Sequence, residues 1–236
     1  MTGGFAQLAA EIEACARCPR LRDWCSQVAL TKRRAYQGEV YWGRPVPGFG
    51  DTSAHVLVIG LAPGAHGANR TGRLFTGDSS GDFLYGALHR AGFSNQPSSI
   101  GRDDGLSLRD VYITAVCRCA PPDNRPLPAE IGACLPYLTR ELAMLKRLRV
   151  VVALGKIAYD VALRLYEPLS SDARFAHCAS YEVRRRVEGI GALDWPAESG
   201  RTWLVASYHP SRQNTQTGRL TAVMFDRVWG LVRSYL

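Results

Sequence analysis

Four cysteines at two distant points of the chain, Cys15 with Cys18 and Cys119 with Cys134, are the residues whose types and spacing most plainly could do chemistry. Two residues between Cys15 and Cys18 let the backbone turn so that both thiolates face one centre. A second pair from mid-chain would complete a four-sulfur set and staple the N-terminus to the middle of the protein. Such a set suits zinc or an iron–sulfur cluster, and spacing alone does not separate them. Cys25, Cys117 and Cys178 are left over, and Cys117, two residues before Cys119, is the nearest rival ligand. Seven cysteines, with no basic and apolar leader at Met1–Phe5, fit a reducing cytoplasm better than a disulfide framework.

Three further segments carry chemically able side chains. The first, Gly60–Leu84, is rich in glycine and holds Phe75 and Asp78; it fits neither a dinucleotide fingerprint nor a Walker loop. Its glycines let backbone approach a ligand closely. The second lies between Cys119 and Cys134 and carries Asp123-Asn124-Arg125 between prolines. The third is Ser207-Tyr208-His209-Pro210-Ser211, where a histidine held by proline suits a donor or proton carrier. Asp78 has a second reading as the cap of a helix starting near Ser79, with Asp82 as its rival for chemistry. Asn124 has one as a turn residue, and Phe75 one as core.

The elements that must position these loops are short apolar runs. His55–Gly60, Val111–Val116, Val150–Leu154 and Trp203–Ser207 read as strands. Helices are expected from an N-terminal segment running into Cys15, from Ser79 to about Arg90, from Pro128 to about Leu148, over Lys156–Tyr166 and over Leu220–Tyr235. Residues 31–53 read as a winding segment and 167–200 as an excursion. The alternation predicts one α/β domain over 1–236, with a central four-stranded parallel sheet and helices on both faces. The first 30 residues pack onto it. In such folds ligands bind beyond the carboxyl ends of the strands, where all three loops emerge.

Net charge is +8 with 29 Lys and Arg, of which only Lys32, Lys146 and Lys156 are lysine. Arginine forks suit phosphate, so a polyanionic partner is expected. No apolar stretch is long enough for a membrane span.

With Cys15 and Cys18, three segments carry a family resemblance: Gly60-Leu61-Ala62-Pro63 continuing to Phe75-Thr76-Gly77-Asp78, Cys119-Ala120-Pro121-Pro122-Asp123-Asn124, and His209-Pro210-Ser211. Together they resemble the uracil-DNA glycosylase superfamily, closest to its family 5, the B-type iron–sulfur branch. The resemblance implies a [4Fe-4S] cluster on Cys15, Cys18, Cys119 and Cys134. It implies hydrolysis of the uracil–deoxyribose bond in DNA, with hypoxanthine and xanthine also accepted. Pro63 is followed by Gly64, Ala65 and His66 with no carboxylate, which is the family 5 pattern and turns attention to Asp78.

On this reading Asp78 and Asn124 position water and His209 stabilises the departing base. Leu61, Ala62, Phe75 and Ser211 meet substrate, and Arg70, Arg73, Arg212 and Arg219 meet DNA. A monomer working beside the nucleoid is expected. The competing reading is a metal-stapled DNA-binding module without catalysis, distinguished by the absence of an abasic product.

Overall fold

The computed structural model describes residues 2–186 and 201–236. A seven-stranded sheet runs in the order β1-β3-β2-β4-β7-β6-β5. Its centre is the expected parallel set: β3 (Val111–Ala115), β2 (Val56–Gly60), β4 (Val150–Leu154) and β7 (Thr202–Ser207). Three antiparallel additions make it wider than the four strands expected. These are β1 (Phe49–Gly50) on β3, and β6 (Ser180–Arg185) with β5 (Tyr166–Pro168) beyond β7. The expected excursion thus contributes edge strands, and its stretch 187–200 lies outside the described residues. Arg184, in the arginine run, is exposed on β6 and pairs with Glu167.

The central strands are unbroken apolar runs because both faces are covered. Alternate side chains serve two cores. Val56, Val58, Val150 and Val152 meet Leu84, Leu88, Phe225 and Trp229, from α4 (Ser79–Arg90) and α8 (Ala222–Ser234). Leu57, Ile59, Val151 and Ala153 meet Leu138, Leu142, Tyr159 and Ala162, from α5 (Pro128–Met144) and α6 (Lys156–Leu165).

Before the sheet, α1 (Thr2–Glu13) lays Leu8 and Ile12 against Tyr137 of α5, with Glu11 paired to Arg140. A helix the sequence reading did not predict, α2 (Pro19–Thr31), follows Cys18 directly. Pro19 opens it, where a missing N–H costs nothing, and Leu21, Cys25 and Val28 form its buried stripe. Between α5 and the sheet lies a fully buried ion pair: Arg118 Nη2 donates to Glu141 Oε2 at 2.6 Å, and Thr114 Oγ1 donates to the same oxygen at 2.5 Å. Among the described residues, no helix is long and apolar enough to cross a membrane.

Candidate active site at the carboxyl edge of the sheet

The loops after β2, β3 and β7 emerge at one edge, and the first two continue the sheet's pairing for a residue or two: Val116 N donates to Gly60 O and Cys117 N to Leu61 O, both at 2.9 Å. Leu61 and Ala62 are half-buried there. Phe75 returns over the end of β2, with φ of +51°, a conformation non-glycine residues rarely hold. Its ring leaves no room for a side chain at Gly60, where a Cβ would lie 2.7 Å and 2.8 Å from ring carbons. From the loop after β7, His209 stacks against it, with centroids 5.9 Å apart and planes at 28°. Burial holds the His209 imidazole down to about 4, so it is neutral at physiological pH.

Asp78 caps α4. Its Oδ1 accepts from Ser80 N and Gly81 N, both at 3.0 Å, the geometry that satisfies the orphan amides of a helix start. Oδ2 rests over glycine: a Cβ on Gly64 would come within 2.9 Å of it, and one on Gly67 would fall within 2.8 Å of Asp78 Cγ. Burial raises the Asp78 carboxyl, opposed by the Gly81 and Ser80 amides. Gly81 also lies so close under the Phe75 carbonyl that no Cβ fits, so one glycine seats both candidate residues. Asp78 and Asp82 face a cavity of about 770 Å³ that Arg70 and Arg102 also line. Burial raises the Asp82 carboxyl too, from the first turn of α4.

Other expected residues are placed differently. Asn124 sits on an exposed turn at φ of +55°, after Asp123 at +53°. Among the described residues no side-chain hydrogen bond ties it to Asp78, Phe75 or His209. Ser211 caps α7 (Arg212–Gln216), accepting from Asn214 N at 3.4 Å, and Asn214 Nδ2 in turn holds His209 O at 2.9 Å. Arg212 and Arg219 are exposed, the latter over the Tyr208 ring at 4.8 Å.

Arg70 and Arg73 correct the expectation that both meet DNA. Arg70 pairs with Glu39, donates to His66 O and Gly77 O, and stacks on Tyr36. Arg73 is 4% exposed and binds Thr76, Ser99 and Asp104. Arg73 donates four hydrogen bonds inside the protein and Arg70 three, so both guanidiniums are committed to internal acceptors. These two arginines build the loop that carries Phe75 and Asp78. The sequence reading also missed His177, whose Nδ1 accepts from Tyr208 N at 3.2 Å and whose ring stacks on Tyr208, steadying the residue before His209.

All seven cysteines are free. Burial raises the Cys18 thiol, helped by its neighbours Cys134 and Cys15, and Cys18 also packs on the group holding Leu21, Cys25 and Cys119. Two leftover cysteines lie close to the expected ligands: Cys25 packs in the group that holds Cys119 and donates to Ala120 O at 3.6 Å, and Cys117 shares a core cluster with Cys134. Among the described residues no three His, Cys, Asp or Glu side chains gather as around a single ion. A cubane asks for a wider set, since each of its thiolates binds a different iron. Four free thiols from two remote segments, facing one region, fit that donor set.

The sequence model of the uracil DNA glycosylase superfamily matches residues 47–233, which include every strand of the sheet. The chain belongs to that superfamily. Its members are hydrolases acting on N-glycosyl bonds. The chain is 51% identical over 217 residues to a type-5 uracil-DNA glycosylase of Thermus thermophilus, covering 92% of this chain and 91% of that one. It is 47% identical over 229 residues to the type-5 enzyme of Mycobacterium bovis, covering 96% and 80%. With the type-5 enzyme of Pyrobaculum aerophilum the figures are 45% over 207 residues, 88% and 82%.

Proposed function

We propose that the protein removes uracil from DNA by hydrolysing its N-glycosidic bond, accepts hypoxanthine and xanthine as well, and leaves an abasic site. The observation that carries this reading is the seating of Phe75 and Asp78 on opposite sides of Gly81, with His209 stacked on the Phe75 ring.

The target nucleotide leaves the duplex, because its sugar C1′ is out of reach inside the stack. The exposed arginines Arg212 and Arg219 hold flanking phosphates, and Ser211 fixes the helix start that presents Arg212. Backbone amides at Leu61 and Ala62 take a base carbonyl while Phe75 meets the ring face, a contact worth about 1–3 kcal/mol per base in single-strand recognition. As the bond lengthens, negative charge gathers on the base and positive character on the sugar. His209, neutral because it is buried, donates an N–H to the base rather than handing over a proton. Asp78 keeps Oδ1 on the helix amides and offers Oδ2 to the attacking water, its charge opposing that of the sugar. Asn124, on its exposed turn, joins it once DNA covers that turn.

Cys15, Cys18, Cys119 and Cys134 would hold a [4Fe-4S] cluster. When bound, it serves as a staple between the N-terminal helices and the loop that carries Asn124. The reading is tested with duplexes bearing one uracil, hypoxanthine or xanthine, incubated with the protein and cleaved with alkali. Strand scission at the lesion supports it, and intact strands with retained binding favour a non-catalytic DNA-binding module.

A further inference from the structure

The cavity beside Asp78 is lined by acidic and basic side chains together. Glu39 is committed to Arg70 and Asp104 to Arg73, while the exposed Asp82 and Asp103 have no ion-pair partner among the described residues. Arg102, which also lines the cavity, lies over the Trp42 indole at 4.3 Å, and Arg44 lies over the same indole at 3.9 Å.

Trp42 is itself fixed. Its Nε1 donates to Pro45 O at 3.1 Å, its backbone N–H donates to Arg70 O at 2.8 Å, and Gly72 leaves its ring no spare room. Arg102 meets an acid, Glu13, only at 3.9 Å, and Arg44 meets none among the described residues. Both arginines are exposed. Two guanidiniums on one clamped indole are an unusual use of cations. Both guanidiniums sit over the ring while the side chains stay open to water.

We propose, resting on the DNA-glycosylase reading above, that Arg44 and Arg102 bind phosphates of the DNA strand running past the Asp78 cavity. Stacking fixes the guanidiniums before DNA arrives, so less side-chain freedom is lost on contact. The exposed carboxylates of Asp82 and Asp103 repel phosphate from the cavity, which keeps the backbone on the Trp42 side. These two arginines replace the buried Arg70 and Arg73 as the phosphate contacts of this loop region.

The test measures affinity for a lesion-free duplex across a range of salt concentrations, so it reads no chemistry and stands apart from the glycosylase assay. For each lost phosphate contact the slope of log affinity against log salt becomes shallower by about 0.9. Arg44→Gln and Arg102→Gln should each show that change, and the double variant about twice it, with thermal midpoints near wild type. Arg44→Lys keeps the charge and should recover the slope. Arg147→Gln, just before β4 at the other edge of the sheet, is the control and should bind as wild type. Wild-type slopes in both glutamine variants would overturn the proposal. An equal loss in Arg147→Gln would reduce it to bulk charge, and a wild-type protein that ignores duplex DNA would also sink it.

Discussion

Phe75 and His209, from loops after different strands, meet ring to ring at 5.9 Å, and Gly60 at the end of β2 is bare because the Phe75 ring fills the space its side chain would need. The contact dries the imidazole and holds its pKa down to about 4. Protonation would place a cation in that pocket. The rate of base excision should therefore show no step at the ordinary histidine value; its fall in acid belongs to Asp78, whose carboxyl burial raises, and to His209 as pH approaches about 4. A bell centred near the ordinary histidine value, in a pH profile under single-turnover conditions, would contradict a buried neutral donor.

The same shift bears on stability. Because the folded pKa lies below the ordinary 6.5, the unfolded chain binds a proton between those values that the folded chain refuses. Stability contributed by neutral His209 is thus complete above about pH 6.5 and is lost as pH falls toward 4, amounting to roughly 3 kcal/mol at the acid end. Denaturant titrations of wild type and His209→Gln at several pH values read this directly. The variant should show a flatter dependence over that window.

Gly67 lies under the Asp78 carboxylate, and its φ of −99° with ψ of −103° is a combination that residues with a side chain avoid. Gly67→Ala should push Asp78 off its seat and slow excision on the order of 100-fold, within the range for a displaced acid–base group, with DNA binding kept. Full activity in Gly67→Ala would show that Asp78 has room to spare.

Arg118 and Glu141 are both about 1% exposed. Replacing Glu141 with Gln leaves the guanidinium buried without its counter-charge and should cost about 3–5 kcal/mol in unfolding free energy. Arg118→Met with Glu141→Leu should recover most of that loss, since an apolar pair carries no desolvation penalty. Denaturation midpoints of wild type and the two variants decide it.

Cys119 lies in the group that Cys18 packs against, whereas Cys117 is fully buried in the main core beside Cys134. Cys119→Ala should lose iron on purification and lose activity with it. Cys117→Ala should keep the brown colour. Iron content and the visible spectrum of each variant check the assignment, and the reverse pattern would exchange the two.

Much of this arrangement was legible in the amino-acid order, for identifiable reasons. The four parallel strands are read easily because burial on both faces makes each an unbroken apolar run. The antiparallel strands β1, β5 and β6 are half-exposed for most of their residues, and β1 and β5 are very short, so they carry no such signature. Helix α2 hid behind Cys15–Pro19, although Leu21, Cys25 and Val28 repeat at helical spacing and Pro19 suits a first turn. Arg70 and Arg73 were misread because charge suggests surface. Their acceptors come from Glu39, Ser99 and Asp104, which only folding brings near. Asp78 was legible in both its aspects, cap and candidate acid, because a helix start after a glycine loop asks for a carboxylate there.

The most direct measurement of the central claim is single-turnover excision from a U:G duplex by wild type and Asp78→Ala, with alkali revealing abasic sites. The account predicts abasic product from wild type and a rate at least about 100-fold lower in Asp78→Ala at unchanged DNA affinity. No abasic product from the iron-loaded wild type, or equal rates in both proteins, would contradict it.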